Sequence, residues 1–446
     1  MSDAADGLAS RRTAWQILQR VHEQQAWSGP VVDAALRRSQ LRGRDRSFAA
    51  NLAYQTLRWE GTLDWALTTV LTRPIAEVEG GVLSVLRLGA WQILYGAMPD
   101  RAAVATAVDV ARAEVGDRAT GFVNGVLRQL SRTKDRLPWP DERSDSGLGL
   151  ATGYAPWIVA AARARFGDQA RALLDAGNEP PGVTLRAVGD PETLRAELSA
   201  AGLEPSAGRL APEAVRVGSI DPGSLDAVTQ GRAVVQDEAS MVVARTAAAG
   251  AGAGPWRALD VAAAPGGKST HLAQLGGWVA AADLLPGRAR MVAENAARIG
   301  LDGRVHAVVA DGTRPPWRPE AFDVVLLDAP CTGLGIVRRR PEVRWRRVAA
   351  DIERLARLQT QLLEASAALV RPGGALTYSV CTWTAEETVG VVEGFLAMNG
   401  DRFTAEPPDV PGAPVLGDDA TGVQLAPHSH ATDGMYIARF RRSEQR

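Results

Sequence analysis

Arg257-Ala-Leu-Asp260-Val-Ala262-Ala263-Ala264-Pro265-Gly266-Gly267-Lys268-Ser-Thr-His-Leu-Ala-Gln-Leu275 decides the fold. The apolar run 257–262 reads as a buried strand, the prolyl-glycyl stretch as a tight turn, and 267–275 as a helix. The same alternation continues along the chain. Strands are expected at 278–283, 305–309, 322–327 and 375–380, with a last one at 434–440. Helices are expected at 287–299, 349–370 and 385–398. Strands alternating with helices at this spacing specify a doubly wound, Rossmann-like α/β domain with a mainly parallel sheet. Ligands then bind at the carboxyl ends of the strands.

The turn is neither of the common phosphate loops: both the P-loop spacing and the dinucleotide Gly-x-Gly-x-x-Gly are absent. The small residues Ala262, Ala263 and Ala264, followed by Pro265, Gly266 and Gly267, let a ligand lie against the backbone. Asp283 closes the second strand, where a carboxylate suits a ribose diol. Asp311 follows the third and is placed for an adenine amino group. Acids at both ends without a diphosphate loop favour S-adenosylmethionine over NAD.

The chain has two cysteines. Cys331 ends the run Leu326-Leu-Asp328-Ala-Pro330-Cys331, and Cys381 ends Tyr378-Ser-Val-Cys381. Strands four and five are neighbours in such a sheet, so both thiols are expected in one pocket beside the methyl donor. No Cys/His spacing suggests a metal site. The bland alternative is a pair of inert packing thiols. Lysine is confined to Lys134 and Lys268, and the latter sits in the glycine-rich turn.

Bulk properties set broad limits. The 446 residues suffice for two or three domains, and 46% hydrophobic with 23% charged residues is ordinary for a globular protein. No apolar run is fit to span a bilayer. The polar start, 1–10, is unlike a secretory leader, and two dissimilar cysteines suit a reducing cytoplasm, the expected location. The net charge of -1 gives no global attraction to nucleic acid, but arginine is concentrated in 11–58 and again in 331–358.

Residues 11 to about 135 read as successive amphipathic helices, with Asp100 placed to cap the fourth. Residues 138–150 have a linker's composition. A strand at 183–188, a helix at 191–201 and short strand signals at 216–217 and 233–236 outline a small α+β module. Arg186 there could meet a phosphate, though an arginine on a strand is more often a surface residue. The expected domains are a helical bundle at 1–140, the α+β module at 141–240 and the catalytic domain at 241–446.

Two resemblances stand on specific residues. Arg12-x-x-Ala-x-x-x-Leu, Asp45-Arg46-Ser-Phe48, Leu52 through Arg58 and Gly121-Phe-Val-Asn124 resemble a NusB-type RNA-binding domain. Val235-Gln-Asp237-Glu-Ala-Ser240, Ala263-Ala-Pro-Gly-Gly-Lys268, Asp328-Ala-Pro-Cys331, Gly333-x-Gly335, Val380-Cys381-Thr382 with Glu386-Glu387, and Asp433-Gly434-Met-Tyr436 resemble the RNA cytosine-5 methyltransferases of the Nol1/Nop2/Sun family. With the NusB-like front, the whole chain is similar to that family's bacterial small-subunit ribosomal RNA members, which modify 16S RNA. The chain departs from the family where Ala262 replaces a frequent cysteine, Thr382 a serine and Met435 a phenylalanine. None of these changes removes a reacting group.

The resemblance implies a class I methyltransferase domain and divides the roles. Cys381 would be the attacking thiolate. Asp328 would hold the pyrimidine at nitrogen 3 and border the cofactor pocket. Cys331 would take the carbon 5 proton, and Lys268 would favour thiolate over thiol. Arg338, Arg339, Arg344 and Arg346 could grip phosphates, and Arg12, Arg46 and Arg58 would face RNA. The expected protein is a metal-free monomer acting on ribosomal RNA and not bound to a membrane. A transfer-RNA substrate, or a non-catalytic RNA-binding factor on the same scaffold, remains open at this point.

Overall fold

Apolar residues at intervals of three and four give the front helices one inward stripe each. The computed structural model describes residues 2–406, 408, 410 and 421–444. The chain forms two units, 1–178 with 339–348, and 179–338 with 349–446.

The first unit is helical. Its helices are Ser2–Glu23, Ser28–Arg38, Gly43–Arg58, Glu60–Thr68, Gly80–Leu94, Asp100–Glu114, Asp117–Thr133, Asp145–Thr152, Pro156–Phe166 and Ala170–Ala176. Ile17, Leu18, Leu52 and Leu57 fill one buried cluster, and Val85, Leu86, Val123 and Leu127 another. Each such side chain contributes roughly 1.5–3 kcal/mol of burial. Arg87 bridges Asp64 through Nε and Nη2, both at 2.7 Å, and reaches Glu60 at 2.9 Å.

Two local expectations change here. Asp100 is the first residue of its helix rather than the cap, and its carboxylate accepts from Ser131 Oγ at 2.8 Å and Lys134 Nζ at 2.9 Å. The end of the stretch 138–150, read as linker from its composition, falls in a helix, Asp145–Thr152. Ser144 Oγ caps its start by accepting from Gly147 N, and Gly153 ends it in the left-handed conformation.

The second unit holds two sheets. Strands β1 (Val183–Ala187), β2 (Ser206–Ala207), β3 (Ala214–Val217) and β4 (Ala233–Val235) form an antiparallel sheet ordered β2-β3-β1-β4. The larger sheet contains β5 (Arg257–Asp260), β6 (Trp278–Asp283), β7 (Val305–Val309), β8 (Phe322–Asp328), β9 (Val370–Val380), β10 (Phe403–Ala405), β11 (Gly422–Leu425) and β12 (Met435–Arg442). Its order is β10-β12-β9-β8-β5-β6-β7, with β11 also on β12. Strands β7 to β9 of that order run parallel through β6, β5 and β8, and β12 returns antiparallel to β9.

Parallel strands buried on both faces read as unbroken apolar runs, which is why Val324–Leu327 are all fully buried. The order changes direction between β5 and β8, so the loops after these strands open a crevice at the carboxyl edge. Arg186 is neither a phosphate contact nor a surface residue. It is fully buried, donating to Gln274 Oε1 at 2.7 Å and Thr270 Oγ1 at 2.9 Å, and so braces the small sheet against helix Gly267–Gln274.

Candidate active site

The loop after β5 is pinned from both sides. Val261 N donates to Leu326 O of β8 at 2.9 Å, and Ala263 N to Ala282 O of β6 at 2.8 Å. Gly266 turns the chain into the helix with φ +102°, and a Cβ there would lie 3.2 Å from the Val292 backbone. Only glycine meets both demands without strain. Lys268 then falls in the first turn of helix Gly267–Gln274.

From there the Lys268 ammonium reaches Asp328 Oδ2 at 2.7 Å and Ser240 Oγ at 3.5 Å. Asp328 ends β8 opposite Ser379 of β9, whose hydroxyl donates to Oδ1 at 2.8 Å. Burial works against the Lys268 cation, but Asp328, with Cys381 and Asp260 beyond it, outweighs this and holds the ammonium above its usual range. Asp260 is fully buried, accepts from Ser269 Oγ at 2.6 Å, and is pushed by burial up to about 7. The sequence gives Asp260 no role. Its place at a strand end beside Lys268 is the signal that could have found it.

The two thiols meet. Cys331 Sγ lies 3.3 Å from Cys381 Sγ. Cys331 is buried and Cys381 is partly accessible. The hydrogen bond to Cys381, and then burial, keep the Cys331 thiol well above the ordinary cysteine range. The raised thiol favours a proton on Cys331, shared with the more accessible sulfur.

The loop carrying Cys381 is clamped by two glycines. Gly335 N donates to Cys381 O at 2.9 Å, and Gly434 N to Gly335 O at 2.8 Å. A Cβ on Gly335 would sit 2.1 Å from Gly434 O. The 235–240 stretch joins the same assembly. Asp237 Oδ1 accepts from the Thr432 hydroxyl and from Asp433 N, the latter at 3.1 Å.

The residues expected to hold S-adenosylmethionine line the crevice from β5 to β7. Ala264 N points to Asp283 Oδ2 at 3.3 Å, placing that carboxylate against the Ala262–Gly267 loop. Arg288 Nε lies 3.0 Å from both Asp283 oxygens and is half exposed, so a diol would share the acid or displace the arginine. Asp311 is exposed, and hydrogen bonds from Thr313 hold its carboxyl below the usual range. An anchored ribose acid, a second ionised acid one strand further and a loop shaped by glycine fit an adenosyl group.

The arginines divide. Arg344 is fully buried in the first unit, donating to Gly153 O at 3.1 Å, Gly177 O at 2.6 Å and Asn178 Oδ1 at 2.6 Å over the Tyr154 ring. Arg58 is buried as well. Neither can meet a phosphate, because their guanidinium groups are enclosed by protein. Arg346 donates to the carbonyls of Val21, Gln25 and Ala26. Arg338 donates to Glu179 O at 3.2 Å, and Arg339 is half-buried. Arg46 donates to Leu36 O at 2.6 Å, and the partly exposed Arg12 pairs with Glu114.

Three family models match successive stretches. They are the NusB family over residues 8–132, a ferredoxin-like domain of RsmF/B-like methyltransferases over 154–220, and the 16S rRNA methyltransferase RsmB/F over 254–441. A putative methyltransferase of Mycobacterium tuberculosis is 38% identical over 97% of this chain and 96% of its own. The probable ribosomal RNA small subunit methyltransferase B of Bacillus subtilis is 32% identical over 97% of this chain and 98% of its own. The crystal structure of PH0851 shares the fold, with a TM-score of 0.85 across 98% of both chains at 24% identity. A methyltransferase homologue from Pyrococcus horikoshii is 25% identical, with a TM-score of 0.56, over 66% of this chain and 97% of its own. With two adjoining thiols beside the Lys268–Asp328 pair, and with relatives matching from end to end, the chain belongs to the 16S rRNA methyltransferase RsmB/F family of S-adenosylmethionine-dependent enzymes.

Proposed function

We propose that this protein methylates carbon 5 of a cytosine in small-subunit ribosomal RNA through a covalent bond between Cys381 and carbon 6. The observation that carries the reading is the 3.3 Å contact between the two thiols beside the Lys268–Asp328 pair. The names of the Bacillus and Xylella relatives supply the small-subunit RNA.

Carbon 5 of cytosine is a weak nucleophile, and addition of a thiolate at carbon 6 makes it enamine-like. Cys381, the accessible sulfur, forms the carbon–sulfur bond as a thiolate and is a thiolate again when it is expelled. Asp328 meets the pyrimidine edge at nitrogen 3 through a shared proton, which moves to the ring as charge develops there and returns when Cys381 leaves, and Lys268 fixes the orientation of Asp328. When bound, S-adenosylmethionine supplies the methyl group as an electrophile. Carbon 5 then carries both a methyl group and a hydrogen.

Once Cys381 is bonded to carbon, the hydrogen bond that held the Cys331 proton is gone, and burial is the main force left opposing its loss. Cys331 loses that proton to solvent, which is the one proton released overall. As a thiolate it takes the carbon 5 hydrogen. The electron pair left behind restores the carbon 5–carbon 6 double bond and expels Cys381.

The base must leave any stack to reach these groups, so an unpaired or bulged nucleotide is the expected substrate. Arg12, Arg46, Arg338 and Arg339 are the proposed phosphate contacts. A non-catalytic RNA-binding factor would have no use for two thiols in contact.

Cys381→Ala is expected to reduce methyl transfer to background while S-adenosylmethionine still binds by calorimetry. Full activity in that variant would remove the nucleophile. Nucleoside analysis of ribosomal and transfer RNA from cells with and without the gene should show 5-methylcytosine lost from small-subunit RNA. Its loss from transfer RNA alone would replace the substrate.

A further inference from the structure

Glu387 is fully buried and sits six residues after Cys381. Its carboxylate accepts four hydrogen bonds of 3.0 Å or less, and a longer fifth from the Thr382 hydroxyl at 3.4 Å. Thr332 N donates to Oε1 at 2.8 Å and Gln359 Nε2 to the same oxygen at 3.0 Å. The Thr332 hydroxyl donates to Oε2 at 2.6 Å and the Thr384 hydroxyl at 2.8 Å. Thr332 directly follows Cys331, and Thr384 lies three residues beyond Cys381. One carboxylate thus receives donors from both thiol-bearing loops.

The surrounding groups complete the tie. Thr382 Oγ1 and Thr332 Oγ1 lie 2.8 Å apart, joining the residue after each cysteine directly. Gln359, on helix Ala350–Ala367, uses its amide on Pro330 O at 3.0 Å as well as on Glu387. Tyr378 of β9 donates its hydroxyl to Glu387 O at 2.7 Å. A carboxylate accepts only, so it suits a site where four donors converge. Buried donors left without an acceptor are costly, and the loops would move to satisfy them.

We infer that Glu387 is a positioning residue that holds the Cys331 and Cys381 loops in register, so that the thiol that attacks and the thiol that releases the product stay in contact. It touches neither substrate nor cofactor. The inference rests on the covalent reaction proposed above and adds a requirement to it: the distance between the thiols is set by an acid outside the pocket.

The test compares Glu387→Ala, Glu387→Gln and Gln359→Ala in the full chain, with Cys381→Ala assayed alongside. Glu387→Ala should lower kcat roughly 100-fold, the scale of loss when reacting groups shift by about 1 Å. Its KM and its calorimetric affinity for S-adenosylmethionine should stay within about twofold of the parent, because the cofactor crevice lies on other strands. Glu387→Gln should recover activity to within about tenfold of the parent, since the amide oxygen can serve Thr332 N and Gln359 while threonine hydroxyls rotate to accept.

A Glu387→Ala protein that binds S-adenosylmethionine and keeps kcat within about twofold overturns the inference. Should that variant fail to bind the cofactor, Gln359→Ala decides. A loss of about tenfold supports the tie, and unchanged kcat refutes it. Activity retained by Cys381→Ala would instead overturn the covalent reading, and the Glu387 variants would still be judged by their own kcat.

Discussion

Asp260 is a buried acid whose charge the fold opposes. Its ionisation rises from 3.8 in an exposed chain to about 7 in the folded one. Between those values the folded protein keeps a proton that the unfolded chain has lost, so stability falls as pH rises through that window. Asp260→Asn should therefore flatten the pH dependence of the unfolding midpoint between about pH 4 and 7. Equal slopes in parent and variant would mean that the acid is ionised throughout. At this scale the positions of the candidate residues were readable in sequence: Cys331, Cys381, Asp328, Asp283 and Lys268 all stand at strand ends or in the first turn after one. Local pattern announces such positions. Glu387 was not readable in this way, because its four donors come from separate places in the chain and only the folded loops bring them together.

The segment 339–348 shows how an element can mislead. As sequence it is a run of arginines behind a reactive loop, which suggests a grip on phosphate. In the structure its short helix, Val343–Arg346, is packed into the helical unit. Glu342 accepts from Ser28 N at 2.8 Å, and Trp345 Nε1 donates to Leu57 O at 2.9 Å. Charge alone does not separate a guanidinium that meets solvent from one that satisfies buried carbonyls. Arg344→Met should destabilise the protein by roughly 2–4 kcal/mol in chemical denaturation, since three acceptors lose their donor. The salt dependence of RNA binding should stay the same. A changed salt slope with unchanged stability would return Arg344 to the RNA surface. Short elements were missed for a different reason. Helix Asp145–Thr152 is rich in small or polar residues, and β10 and β11 are too brief for a period to register.

At the scale of the whole molecule, the order of helical bundle, small sheet and parallel sheet followed from the change of apolar period along the chain. That change is the strongest signal a single sequence carries. Among the described residues no helix is long and apolar enough to cross a membrane. Binding to RNA should weaken with salt, and Arg12→Ala should reduce the magnitude of the log–log slope by up to about 1 if that arginine neutralises a phosphate. An unchanged slope would confine Arg12 to its pairing with Glu114.

The covalent division of labour between the thiols is tested most directly by the Cys331→Ala protein incubated with substrate RNA and S-adenosylmethionine, digested, and sequenced by mass spectrometry. The account predicts an enzyme–RNA adduct that survives denaturation, with the methylated cytosine attached to the peptide carrying Cys381. Normal turnover without an adduct, or a nucleotide attached elsewhere, would contradict it.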